Sequence, residues 1–134
     1  MKKFLGIIIR GTDYTTLKPK GHAIQPSIEM VIEKANEVMT SFKCKKIFLA
    51  TEDKRNYDRI VEVFGVQNVL TNQKRWIDYK GGMINTYYDN NIRKNDRYIS
   101  GLEYLSTIYI LSKCLYNRRN SWWGIWRFLT FGRL

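Results

Sequence analysis

An open α/β sheet of parallel strands with flanking helices is the fold this sequence predicts, on three observations. Two short apolar runs, Phe4 to Ile9 and Ile47 to Ala50, lack polar alternation and read as strands covered on both faces. Each is followed by a segment of helical period, and a shorter apolar pair, Val69-Leu70, comes third. Strand, helix, strand, helix, strand and a further helix is the order of a Rossmann-like sheet with right-handed crossovers.

Local signals support each element in turn. The first strand runs into Arg10-Gly-Thr-Asp13, and a loop through Lys18-Pro-Lys-Gly21 follows. Pro26-Ser27 opens a helix whose apolar positions Ile28, Val31, Ile32, Ala35, Val38, Met39 and Phe42 form one stripe. Its acids Glu29 and Glu33 lie early, and Lys43, Lys45 and Lys46 lie at or past its end, as the helix dipole prefers. After the second strand, Thr51 or Asp53 is placed to cap a helix with Tyr57, Ile60, Val61 and Phe64 on one side, and Gly65 ends it. Residues 72 to 97, with Gly81-Gly82 and Asn90-Asn91, read as a long polar connection. Ser100-Gly-Leu-Glu103 then matches a capping box, and Leu102, Leu105, Ile108 and Tyr109 are expected to be the buried stripe of a last helix reaching about Lys113. No internal repeat is present.

Length and composition bound the function. A chain of 134 residues, 44% hydrophobic, is one domain's worth of protein with a real core. Cys44 and Cys114 form neither a metal-ligand spacing nor a disulfide framework, and no stretch has the roughly 20 apolar residues that span a bilayer. Met1-Lys-Lys is followed by too short an apolar run for a signal peptide, so the expected location is cytoplasmic. A net charge of +11 points to anionic partners. The excess is spread along the chain, nine basic against four acidic residues in 1–50, nine against seven in 51–100 and five against one in 101–134, which disfavours a dedicated nucleic-acid module.

In open α/β sheets ligands bind at the carboxyl ends of strands. There the pattern brings together Arg10, Gly11, Thr12 and Asp13 from the first strand and Thr51, Glu52 and Asp53 from the second. Two readings of Arg10 stand side by side. Its guanidinium can fork onto a diphosphate, with Gly11 letting the backbone come close, or it can pair with Asp13 as a solvated strand end. His22, the single histidine, sits beside Lys18 and Lys20 as a polar loop residue or a binding group. Glu103 has its own structural use in the capping box, and Trp76 and Tyr87-Tyr88 offer either packing or a stacking surface.

Four stretches taken together, Arg10-Gly-Thr-Asp-Tyr14, Lys18-Pro-Lys-Gly-His-Ala-Ile-Gln-Pro26, Leu49-Ala-Thr-Glu-Asp53 and Gly101-Leu-Glu-Tyr-Leu105 with Leu111-Ser-Lys-Cys114, resemble fucosyltransferase-like glycosyltransferases of bacterial surface-polysaccharide clusters. The resemblance covers roughly residues 4 to 114. It implies the nucleotide-sugar half of a two-lobed, GT-B-type fold, a GDP-sugar donor and a glycan acceptor in the full-length enzyme. It also implies metal-independent transfer without a cofactor, and the chain holds no Asp-x-Asp motif of the metal-dependent kind. Arg10 matches the arginine that holds the donor diphosphate in the more distant α1,6-fucosyltransferase pattern. A cation there stabilises charge developing on the leaving group. Gly11, Thr12, Lys20, His22, Thr51 and Glu103 become the other substrate-binding candidates, and Asp13, Glu52 and Asp53 the candidate bases.

Departures from that family shape two further expectations. Two-lobed transferases carry an acceptor lobe ahead of the nucleotide lobe, whereas the first strand here begins at Phe4, so the chain reads as a fragment that transfers no sugar alone. The distant pattern also has basic residues where Gly11 and Tyr14 stand. Residues 1–114 form the expected nucleotide-sugar domain, and 115–134 an atypical tail with three of the four tryptophans and no acid. That tail reads as a frameshifted Gly-rich loop; the competing readings are a basic, aromatic segment for peripheral membrane contact and a strand with exposed aromatics. A free-standing nucleotide- or polyanion-binding domain, RNA and DNA included, is the alternative to a transferase lobe.

Overall fold

Residues Phe4–Ile9 form β1, in which Leu5, Gly6, Ile7 and Ile9 are buried. The computed structural model describes residues 4–9, 26–72, 76 and 93–114. Helix α1, Ile28–Phe42, begins where the Ser27 hydroxyl accepts the Met30 N–H at 3.3 Å, satisfying one of the donors a helix start leaves open. It buries Val31, Ile32 and Ala35 and stops at Lys43, whose φ of 53° lies in the left-handed region. The N–H of Lys43 returns to the carbonyls of Met39 and Thr40. Phe42, expected in the buried stripe, is 47% exposed because the helix ends before the sheet can cover it.

Strand β2, Lys46–Thr51, leads into helix α2, Lys54–Phe64, which buries Ile60 completely. Gly65 ends α2 at a φ of 86°, a conformation glycine adopts without a Cβ penalty, and a 3-10 turn, Val66–Asn68, delivers β3, Val69–Leu70. The strand order is β1-β2-β3, and both pairings are parallel, with Phe4 opposite Lys46, Ile9 opposite Thr51 and Ile47 opposite Val69. The expected Rossmann-like open parallel sheet is therefore present.

Alternation along β1 assigns the layers. Leu5, Ile7 and Ile9 point to one face and enter a single core with Val31, Ile32 and Ala35 of α1 and Ile60 of α2. On that face the two helices are also clamped by Arg59, which donates from Nε and Nη2 to the Glu29 carboxylate at 2.8 and 3.0 Å. Gly6 faces the other way. A Cβ there would lie 2.9 Å from Leu111 and 3.1 Å from the Cys114 Cβ, so the end of helix α3, Asp96–Lys113, rests directly on the opposite face of β1.

Helix α3 differs from its sequence expectation in two ways. It starts at Asp96, inside the stretch read as connection, with Asn95 at a φ of 56° and no side-chain cap, so Ser100 and Glu103 form no capping box. The stripe expected to be buried instead faces outward, with Leu102 46%, Leu105 64% and Tyr109 65% exposed and Ile108 half-buried. The cause is Arg93. Its guanidinium donates to Asp96 at 3.0 Å, Ser100 at 2.9 Å and Glu103 at 2.9 Å, and Asp96 is fully buried. Asn72, just past β3, donates to the Glu103 carbonyl at 3.2 Å. Asp96, Ser100, Glu103, Leu111 and Cys114 share one helix face, and holding that face inward turns the Leu102-Leu105-Tyr109 stripe out.

Candidate functional site

The carboxyl edge of the sheet is assembled by short-range bonds. Thr51 ends β2 opposite Ile9 and is only 5% exposed. Its hydroxyl accepts the Asp53 N–H at 3.3 Å, a local turn that lifts the chain off the strand and into α2. Asp53, 6% exposed, caps α2 by accepting the Arg55 N–H at 2.9 Å. The same carboxylate is forked by the Arg55 side chain, Nε at 3.1 Å and Nη2 at 2.7 Å. Of the two caps the sequence allowed, Asp53 is the one used.

Burial works to raise the Asp53 carboxyl, but the side-chain and backbone hydrogen bonds from Arg55 and its charge outweigh it and hold the group below the usual carboxylate range. A carboxylate held ionised and saturated with donors is a weak proton acceptor, so the geometry gives Asp53 the work of a cap. Glu52 lies half-buried between Thr51 and Asp53. On the first turn of α2, Lys54 is bound to both oxygens of Asp58 at 2.7 and 2.9 Å. The two described cations of this turn are thus each matched to a carboxylate.

The sequence-expected site residues divide accordingly. Thr51, Glu52 and Asp53 stand together at the end of β2. Glu103 lies on α3, bound through its carboxylate to Arg93 and through its carbonyl to Asn72 just beyond β3. Arg10, Gly11, Thr12, Asp13, Lys20 and His22 lie outside the described residues, as do Tyr87-Tyr88 and the tail 115–134. Arg10 is the residue after Ile9 in the chain. Trp76 packs against Tyr57, ring centroids 5.1 Å apart, which is the packing use the sequence allowed for it. Among the described residues no group of three His, Cys, Asp or Glu side chains could hold a metal ion, and no helix is long and apolar enough to cross a membrane.

Arg93 was not singled out in the sequence, although its signal is there: Asp96, Ser100 and Glu103 follow it at three, seven and ten residues, one face of a helix that begins early. Bound first by Glu103, then by Asp96, its guanidinium is held even more firmly protonated than an ordinary arginine.

The sequence matches no protein-family model and no curated protein.

Proposed function

We propose that this domain binds a nucleoside-diphosphate sugar at the carboxyl edge of its sheet and serves as the donor lobe of a fucosyltransferase-like glycosyltransferase for surface-polysaccharide synthesis. The observation that carries this is the change of helix face. Helices α1 and α2 cover one face, whereas α3 crosses the other, from Asn72 beyond β3 back to Gly6 of β1. In open α/β sheets the ligand crevice lies outside the carboxyl ends of the strands, where the winding changes face. Applied here, that rule favours the carboxyl end of β1, the stretch that runs into Arg10-Gly-Thr-Asp13.

The chemistry supports the same place. Lys54 and Arg55 are already engaged by carboxylates, so a diphosphate at this edge would rely on a cation from the β1 side, and Arg10 is the first in line. Thr51 and Glu52 would face the donor from β2. Asp13 and Glu52 remain the candidate bases, and the GDP-sugar is a substrate rather than a cofactor.

Calorimetry with GDP and GDP-sugars tests this. Arg10→Ala should weaken binding by about 2–4 kcal/mol, the usual cost of removing one partner of a desolvated charge pair. Equal affinity in wild type and variant would discard the site. A second reading is a nucleotide- or polyanion-binding domain without chemistry, favoured by the net charge of +11. Tight GDP binding with no sugar transfer or hydrolysis, even when an acceptor lobe is supplied, would select it.

A further inference from the structure

The two edges of the sheet differ in charge. At the carboxyl edge and along the helices, most described cations are matched to acids, Arg55 to Asp53, Lys54 to Asp58, Arg59 to Glu29 and Glu62, Lys34 to Glu37, and Arg93 to Asp96 and Glu103, while Lys94 and Arg97 at the start of α3 stand apart. The amino edge is different. Lys43 caps the end of α1, Lys45 follows it, and Lys46 opens β2 opposite Phe4. All three are exposed, and among the described residues none has a carboxylate partner; Lys46 donates only to the Gln67 carbonyl, at 3.4 Å. Lys113, the last residue of α3, lies next to Cys114, which rests on Gly6 in the first half of β1. On the helices that end toward this edge, Glu37 is held by Lys34 and Glu62 by Arg59.

Apolar groups are interleaved with these lysines. Phe42, next to Lys43, is 47% exposed, and Val66, on the turn that enters β3, is 64% exposed.

We propose that the amino edge of the sheet, built on Lys43, Lys45, Lys46 and Lys113 with Phe42 and Val66 between them, is a docking face for an anionic lipid bilayer. It is the face opposite the proposed nucleotide edge, so a docked domain would keep that edge open to the aqueous side. The interleaved apolar groups choose the partner. A phosphate backbone offers Phe42 and Val66 nothing apolar to enter, whereas a headgroup region presents anionic charge directly above acyl chain. Each lysine near an anionic leaflet contributes about a fivefold gain in partition, and the attraction fades beyond a Debye length.

Vesicle flotation of the full chain at physiological ionic strength tests this, comparing phosphatidylcholine vesicles with and without phosphatidylglycerol. The wild-type protein should float only with the anionic vesicles. Lys43→Gln with Lys45→Gln should lower partition by about 25-fold, two lysines' worth. The charge-matched pair Lys94→Gln and Arg97→Gln, at the other end of α3, should change it by less than about twofold. Equal losses in the two double variants would reduce the effect to net charge and overturn the docking face, as would no loss in either. Equal flotation with neutral vesicles, or displacement from anionic vesicles by stoichiometric duplex DNA, would overturn it too. Amine acetylation of the unmutated protein gives an independent readout: anionic vesicles should protect Lys43, Lys45 and Lys46 and leave Lys94 reactive, and uniform reactivity would refute the face. None of these outcomes depends on nucleotide binding.

Discussion

Asp53 shows how one side chain can close a strand, open a helix and hold a cation at once. Removing it as Asp53→Ala should cost about 1–2 kcal/mol at neutral pH, the range for losing an N-cap carboxylate. The ion pair adds little, because the Arg55 side chain is 79% exposed and its charge is screened. The pH dependence has a definite sign. The Asp53 carboxyl is lowered in the folded protein, so its contribution is complete above the unfolded carboxylate value, near pH 4, and is lost as pH falls through the folded value. Urea unfolding of both proteins should therefore show the difference at pH 7 and a smaller one below pH 3; a constant difference would mean that the charge is not what Asp53 supplies. Cys44 and Cys114 make the contrasting case. Burial raises both thiols, which keeps them protonated and inert.

Helix α3 is an element whose polar side is turned inward. Arg93, Asp96, Ser100 and Glu103 knit that side together, and the helix meets the rest of the domain through Asn72, which donates to the Glu103 carbonyl and the Thr107 hydroxyl, at one end and through Leu111 and Cys114 at the other. Its outward stripe includes Tyr98, Leu102, Leu105 and Tyr109, spaced four, three and four residues apart, all at least 46% exposed. Substitutions there touch no core. Leu105→Gln should leave unfolding free energy within about 0.5 kcal/mol of wild type while improving solubility, measured by denaturant titration and by light scattering. A loss of 2 kcal/mol or more would show that the stripe is covered in solution.

The three-layer arrangement depends on a single missing side chain. Gly6, paired in register with Phe48 of β2, lets the end of α3 approach β1 more closely than any Cβ allows. Gly6→Ala forces a 2.9 Å contact with the flexible end of Leu111 and a 3.1 Å contact with the Cys114 Cβ, which cannot rotate away. It should destabilise the domain by about 1–3 kcal/mol, the usual cost of overpacking, and thermal melts will read it. Trimming the opposing side chain as well, in Gly6→Ala with Leu111→Ala, would still leave the Cys114 contact, so recovery should be partial. Full stability of the single variant would place α3 farther from the sheet.

Period, turns and caps made much of this protein legible in sequence. The three strands, the two helices between them, the Ser27 cap and the Gly65 stop depend on interactions within a few residues, which a linear pattern records directly. Parallel order followed from the same pattern, because a helix between two strands leaves room for little else. Thr51, Glu52 and Asp53 could be grouped at one edge for the same reason. The direction in which α3 faces was not legible. Its apolar stripe suggested burial, but Arg93 gathers the polar side and Asn72, thirty-one residues away from Glu103, ties that side to the domain. Whether Asp53 or Thr51 caps α2, and whether the lysines past α1 meet acids or stand alone, were likewise settled by packing. Partner choice between residues distant in the chain is a competition among contacts, and a sequence gives the competitors without the distances that rank them.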